Sequence, residues 1–525
     1  MNPFVWLSIQ IGGGYKSIAY ICAGFLALVF GVYWVVTSAE AAASPTPAPG
    51  AAPRVVTGPP LALIWLLILS IAQGVFLLLM APGAIRKAVM RDFQSGMIES
   101  HRISPLGNWR MTLGYMTGPP VTAFCLYVTA VLCGMWFVAQ AGGGLGPAGV
   151  GALTPANLKF LFGGWLGAQL LFVILSFMLA AATLLTSLGT SGKHNLIGTV
   201  VLLVALASWA ILPLVPGIAL LLGVMSAMQV IGLFSTTPSL DAVVPATAAG
   251  LNVAFGLLFL WAASERLRRP DQPLLSPLQS LCFSLAVATT LALGLSFADR
   301  MGDRFFEDAD FRIEVRIIAS CVVLMLVGLV LCSACATEAV RLDRAAALGQ
   351  SAGVRRRWLA AGPLAQTAIL LGLLVASVLA IGETTASAGL QADYLSTGRG
   401  VRALSIVAVS SFSAFYFCYA WYYWLLAAGR KGWVATLLIV AIFAIPVGAD
   451  AFISAAADEA RVEWAGRDYL SSLSPVGTLI LESRNQDRPA LAGIAVQVAL
   501  TLVVLLLMQR SRERVAIPVA RVGVG

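Results

Sequence analysis

Runs of about 17–25 apolar residues, nearly free of charge, recur along this chain, and each is long enough to cross a hydrocarbon core of roughly 30 Å. We read twelve of them, at residues 17–37, 61–81, 117–139, 159–186, 196–212, 246–263, 279–297, 317–337, 364–382, 403–426, 433–455 and 490–508. Lipid offers the backbone no hydrogen-bond partners, so only helices or closed barrels can cross it. Barrel strands would alternate polar and apolar residues over ~10-residue segments, and no such alternation occurs. The expected fold class is therefore an all-α polytopic integral membrane protein, with about twelve transmembrane helices in two six-helix halves. Composition agrees: 59% of the 525 residues are hydrophobic and 11% charged, whereas a soluble domain carries about a quarter charged residues.

The net charge of +9 invites a nucleic-acid reading, but its distribution argues against one. With the N-terminus inside, the inner loops and tails hold 21 Lys/Arg against 7 Asp/Glu, and the outer side 12 against 17. That asymmetry is the positive-inside bias that orients helices during insertion. The basic excess thus reads as topology, with both termini cytoplasmic and the chain integral to the plasma membrane, as in a bacterial inner membrane. The first span, preceded by Lys16 and followed by Ala-rich sequence, is longer than the about 7–15 residues of a signal-peptide core. It is expected to be retained.

All eight cysteines, Cys22, Cys125, Cys133, Cys282, Cys321, Cys332, Cys335 and Cys418, fall within the spans. Cys332 and Cys335 form a CxxC on an apolar helix, with no second pair nearby, which fits packing better than redox chemistry or a metal. His101 and His194 lie in separate loops, so no metal site is expected. No nucleophile–base pair is evident, and we expect no enzyme activity on this chain.

Two halves emerge, 1–270 and 271–525. One closes on Arg266-Leu267-Arg268-Arg269 and the other on Arg510-Ser511-Arg512-Glu513-Arg514. Each has its longest inner loop after its second span, at 82–115 and 338–361, a topology that suggests a duplicated unit of the kind transporters use. Between 196 and 245 the apolar run is broken by Pro213 and Pro216-Gly217. Charge bias favours one span there, followed by a segment at 213–234 that dips in and returns, over two full spans. The Pro-rich stretch 38–60 reads as an extended outer linker, and the outer loop 457–489 as a small amphipathic cap.

The segment from Pro82 to Tyr115 is a polar island between two apolar runs and carries five of the 33 basic residues. At 100° per residue, Ile85, Ala88, Val89 and Phe93 share a face, with Lys87, Arg91, Gln94 and Ser95 opposite. Asp92 interrupts the apolar face, which predicts a polar partner for it. Gly96 ends or bends the helix, and Ser104-Pro105 opens a new element, because proline suits a first helical turn. The expectation is a short helix lying on the membrane surface, then a turn and re-entry into the third span.

In order and spacing, Pro82-Gly83, Arg91-Asp92, Gly96-Met97, Glu99, Ser104-Pro105-Leu106-Gly107 and Leu113-Gly114-Tyr115 resemble the permeases of type 2 ATP-binding-cassette exporters. Met90, Met97 and Tyr115 depart from the pattern, which has an acid, Thr and Lys there. The opening Asn2-Pro3 before Trp6 looks like a shortened form of that family's interfacial helix. The resemblance implies that this element is a coupling helix docking on a separate ATPase subunit. It would give Arg91, Asp92, Gly96, Glu99, Ser104, Pro105 and Leu106 to coupling, and Ile85, Val89 and Phe93 to the face against the permease. ATP and magnesium would then belong to the partner, with no cofactor on this chain. The match extends to about residue 270, and the second half follows by topology alone.

The chain itself has no phosphate-cradling G-x-x-x-x-G-K-[ST] loop. Gly189-Thr190-Ser191-Gly192-Lys193-His194 has the wrong spacing and no hydroxyl after the lysine. Aromatic residues crowd the tenth span from Phe412 to Trp424, where they read as an interfacial belt in preference to a substrate wall. Glu383 and Asp450 lie at span ends, expected to face outer water. The expected function is the permease component of an exporter driven by a partner ATPase. An ion- or proton-coupled carrier and a non-transporting scaffold or assembly factor remain as alternatives, and the substrate is not legible.

Overall fold

The computed structural model of the chain describes residues 14–43, 59–103, 107–143, 155–190, 216–222, 243–269, 274–305, 313–347, 398–429, 432–460, 468–475, 477–478 and 487–516. Within them the protein is all-α. The helices are α1 (Gly14–Ala43), α2 (Pro59–Gly74), a π-helical turn π1 (Val75–Met80), α3 (Ala81–Gln94), α4 (Met97–Ile103), α5 (Asn108–Thr117), α6 (Val121–Gly143), α7 (Pro155–Thr190), α8 (Pro216–Leu221) and α9 (Val243–Arg268). There follow α10 (Pro277–Phe305), α11 (Ile313–Ala347), α12 (Gly398–Ala427), α13 (Gly432–Glu459), α14 (Tyr469–Ser472) and α15 (Asp487–Ala516). Proline opens α2, α7, α8 and α10, where its missing N–H has no intrahelical partner to lose. At the start of α10 the Ser276 N–H donates to Gln279 Oε1 (2.9 Å) and the Gln279 N–H to Ser276 Oγ (3.4 Å). This reciprocal cap satisfies two donors that the first turn otherwise leaves open.

Seven helices among the described residues are long and apolar enough to cross a membrane: Gly14–Ser38, Ile64–Gln94, Val121–Val138, Trp165–Gly189, Val243–Arg268, Pro277–Leu295 and Pro489–Glu513. The chain is thus a polytopic integral membrane protein. These seven coincide with seven of the expected spans. Helices α11, α12 and α13 cover the spans expected at 317–337, 403–426 and 433–455 without joining that number. The spans expected at 196–212 and 364–382 lie outside the described residues, as does most of the 213–234 segment, where only α8 is seen.

Two compact units divide the chain, one of residues 1–206 with 222–271 and the other of 207–221 with 272–525. In the first, α1, α2 and α6 meet through aromatic rings. Trp65 stacks on Phe137 with centroids 5.6 Å apart, and Tyr33 stands edge-on to both, at 6.3 and 5.3 Å. Beneath them Leu69, Ala130 and Cys133 are buried. Helix α7 packs on α9, and the faces they bury are rich in small residues: Ala180, Ala181 and Thr183 on one, Ala248, Ala262 and Ala263 on the other. Lipid is as apolar as leucine, so van der Waals fit must hold such helices together, and small residues let backbones approach.

The second unit is built around α11, α12 and α15. Its core holds Phe415, Phe417, Cys418, Tyr419, Tyr422 and Tyr423 with Leu331, Cys332, Cys335 and Ile439. Most of the aromatic crowd expected at an interface therefore lines this core, because α11 and α15 pack on α12 over that stretch. Cys332 and Cys335 are packing residues here, and the Cys332 Sγ–H donates to the Phe415 carbonyl at 3.4 Å.

The described part of the expected outer cap is tucked between helices. Ser474 Oγ donates to the carbonyl of Phe443 (2.7 Å), well inside α13. Gln497, well inside α15, donates to the Ser472 carbonyl (3.0 Å) and to Thr478 Oγ1 (2.8 Å), and accepts from Ser410 Oγ at 2.9 Å. Ser413 and Thr501 pair at 2.9 Å beside it. The serines and threonines of the described part of this cap find their partners inside the unit. Two glycines allow the approach: a Cβ on Gly477 would lie 1.8 Å from the Ser471 carbonyl oxygen, and one on Gly493 2.0 Å from that of Ser472.

Candidate functional site

The polar island begins without a break from the second span. Between α2 and α3 the backbone stays right-handed helical through π1, at Gly74, Met80 and Ala81 alike, so one helix of 31 residues runs from Ile64 to Gln94. At 1.5 Å per residue it is about 46 Å long, against roughly 30 Å of hydrocarbon. The separate surface helix expected within 82–115 is instead the prolongation of this span as far as Gln94. Pro82 and Gly83 would favour a break here, and the π-helical turn that ends two residues before Pro82 is the local adjustment through which the helix continues instead.

The prolongation ends at Ser95, whose N–H donates to the Arg91 carbonyl at 2.9 Å. Gly96 then adopts φ +71°, a left-handed conformation that only a residue without Cβ enters freely. There the chain reverses into α4, with the Glu99 N–H donating to the Gly96 carbonyl at 3.2 Å. Ile98 is buried at 2% and anchors α4 through its side chain. Of the coupling residues expected from sequence, Arg91, Gly96 and Glu99 are exposed and Asp92 is half-buried. Ser104, Pro105 and Leu106 lie outside the described residues. The expected apolar face is present: Ile85 and Val89 are fully buried and Phe93 half-buried, on a helix that packs against α7 and α5.

Asp92 has the polar partner its position on that face requires. The Tyr115 hydroxyl, from α5, donates to Asp92 Oδ2. Tyr115 is only 4% exposed. Burial, then the hydrogen bond and charge of Asp92, hold its phenol well above the ordinary tyrosine range. The bond staples the end of α3 to the helix that leads into α6. In sequence Tyr115 stands out only as a departure from the lysine of the resembled pattern. A lone aspartate on an apolar face opposite a tyrosine 23 residues on was the signal that could have found the pair.

A second acid–tyrosine pair lies in the other unit. Tyr423 of α12 donates to Asp343 Oδ2 at 2.7 Å, and Arg512 of α15 closes on the same carboxylate at 2.9 Å and 3.4 Å. Part of the loop expected at 338–361 is therefore helix, since α11 runs to Ala347 and carries Asp343. Arg341 pairs with Glu338 at 3.6 Å, and Arg344 reaches the Leu426 carbonyl near the end of α12 at 3.4 Å. Residues 348–361, Asn2-Pro3, Trp6 and Glu383 lie outside the described residues.

Asp450, expected at a water-facing end, is 4% exposed, and its Oδ1 has no hydrogen-bond partner among the described residues. It continues the buried ridge of Ile439 and Phe443 on α13, and this helical spacing turns it inward. Among the described residues no three His, Cys, Asp or Glu side chains converge as a metal site would require. No known protein family, no curated protein and no solved structure matches this chain.

Proposed function

We propose that this chain is the membrane permease component of an ATP-binding-cassette transporter, moving a substrate outward at the expense of ATP bound by a separate ATPase subunit. The observation that supports this reading best is the element spanning 81–103. It prolongs a membrane-spanning helix beyond the length a hydrocarbon core requires and ends at the Gly96 turn, with Arg91 and Glu99 exposed beside it. In sequence it resembles the coupling element of type 2 exporters, with departures at Met90 and Met97. Force applied at such an extension would reach the second span directly, because α2, π1 and α3 are continuous. On this reading Arg91, Gly96, Glu99, Ser104, Pro105 and Leu106 face the ATPase. Ile85, Val89 and Phe93 seat α3, and Asp92 acts through Tyr115 to hold the reversal in place. ATP can drive transport only by binding one conformation more tightly than another, so the partner must close on nucleotide and tilt this element. The test is co-purification with the ATPase encoded nearest this gene, after Arg91→Ala and Glu99→Ala. Binding and nucleotide-dependent transport should both fall, and undiminished binding would reject the assignment.

A second reading draws on Asp450. An inward-facing carboxyl on an apolar helix is a common feature of ion- and proton-coupled carriers. If transport persisted without an ATPase, collapsed with the ion gradient and disappeared in Asp450→Asn, the carrier reading would replace the first.

A further inference from the structure

Two glutamines of the first unit are buried in apolar helices with no bonding partner among the described residues. Gln73, in the last turn of α2, is 0% exposed, and Gln169, in α7, is 5% exposed. Among the described residues, neither the oxygen nor the nitrogen of either carboxamide has a hydrogen-bond partner. Nearly all buried side-chain polar groups are paired, and within a bilayer no bulk water can substitute. Four such atoms in one unit therefore require an explanation.

Contacts between the helices set the two glutamines at nearly the same height. Trp65 stacks on Phe137, so α2 lies alongside α6. Tyr127 of α6 donates to the Gln169 carbonyl at 3.0 Å, while Gly134 meets the Trp165 ring, a Cβ there lying 2.1 Å from Cζ2. Helix α7 thus runs antiparallel to α6. Leu69 and Cys133 share the Trp65–Phe137 cluster, which makes α2 antiparallel to α6 as well. Ser176 Oγ of α7 donates to the Leu77 carbonyl of π1 at 3.1 Å, tying α7 to the continuation of α2. Gln73 precedes Leu77 by four residues and Gln169 precedes Ser176 by seven. The two carboxamides therefore differ in height by about 5 Å, less than a helical turn.

Three more observations gather at this level. Trp165, one turn from Gln169, has a buried Nε1–H without a partner among the described residues. Gln73 stands on a ridge with Trp65, Leu69 and Leu77 that is almost wholly buried. The π-helical turn begins two residues after it, and π-helical turns occur frequently at functional sites. No Asp, Glu, Lys or Arg occurs in α2, π1 or α6, and α7 carries only Lys159, near its start. A charged ligand would find no counter-charge there.

We propose that Gln73 and Gln169, with the Trp165 N–H, form an intramembrane binding site for the amide group of an uncharged, otherwise apolar molecule. Each glutamine offers one acceptor and two donors, the complement of a primary amide. Apolar neighbours such as Leu69 and Leu77 suit a hydrocarbon body. The site needs no ATPase partner, so its test stands whether or not the permease reading does.

The experiment uses the full chain in lipid nanodiscs, without nucleotide or partner. The probe is a diazirine-bearing long-chain primary amide, photolysed and located by peptide mass spectrometry. Labelling should fall on α2–π1 and on α7 near Gln169. Unlabelled decanamide should compete for it at least about tenfold better than N,N-dimethyldecanamide, which lacks the donors; tenfold is the order expected for losing a hydrogen bond. Gln73→Leu combined with Gln169→Leu should abolish the preference while keeping or raising the thermal midpoint. Equal competition by the two amides overturns the proposal on the native protein alone, whatever the variants do. Labelling that persists unchanged in the double variant overturns it too. A fall in midpoint with no amide preference assigns the glutamines to internal water.

Discussion

A single hydroxyl decides how the polar reversal is held. Tyr115 donates to Asp92, a hydrogen bond to an ionised group of a kind that contributes about 1.5–3 kcal/mol. Tyr115→Phe should destabilise the protein by about that much in detergent unfolding, and Asp92→Asn by less, since an amide oxygen still accepts. The pair also sets an alkaline limit. The folded-state pKa of Tyr115 is raised, so its contribution is complete below the ordinary value of about 10 and is lost as pH climbs from there toward the folded value. Unfolding followed against pH should show native stability falling more steeply above about pH 10 than in Tyr115→Phe. Identical slopes would mean that Tyr115 titrates as it does in the unfolded chain. The need for a partner at Asp92 was legible in sequence from its place on the apolar face, but the identity of that partner was not. Pairing across 23 residues depends on where the reversal at Gly96 aims α5.

At the scale of elements, the second unit relies on polar contacts inside an apolar setting. Gln497 serves Ser410, Ser472 and Thr478 together. Gln497→Leu would leave Ser410 Oγ without its acceptor, at about 1–3 kcal/mol, while Thr478 Oγ1 still donates to the Ser472 and Ser474 carbonyls; the loss should appear as a lowered thermal midpoint. Gly493→Ala tests the same contact sterically. Its Cβ would meet the Ser472 carbonyl oxygen at 2.0 Å, and overpacking of this kind costs about 1–3 kcal/mol or more when the obstacle is backbone. A midpoint unchanged by either substitution would show that 468–478 is not held between α13 and α15. Hydropathy marked α13 and α15 as apolar runs, and the mixed-charge loop between them was expected to form a small amphipathic cap. Composition records that serines need partners without recording whether water or a neighbouring helix provides them.

For the whole molecule, the defining property is an apolar exterior. Leu67, Leu132 and Leu506 are each more than 60% exposed on spanning helices, and a bilayer is the solvent that accepts them. Arginine near the middle of a span costs about 2.5–3.5 kcal/mol on insertion. Leu132→Arg should therefore reduce the membrane-inserted fraction in a glycosylation-reporter assay, whereas Arg91→Lys, at an exposed position that is already basic, should leave it intact. Charge bias further expects the 82–115 reversal on the cytoplasmic side. Single cysteines placed at Arg91 or Glu99 should react with a membrane-impermeant thiol reagent only from that side, and reaction from the opposite face would invert the topology proposed here.

Apolar run length by itself determined that this chain crosses a membrane as helices, because lipid leaves the backbone no other way to satisfy its hydrogen bonds. Periodicity likewise determined which side of α3 is buried, since both properties are local. Only the tertiary structure decided that α3 continues the second span, that the aromatic crowd of α12 forms a core, that Asp450 turns inward, and that Gln73 and Gln169 stand at one level without partners among the described residues. Each of those depends on which helix lies alongside, and in an apolar solvent that choice is made by shape and by scattered polar contacts, to which hydropathy is blind.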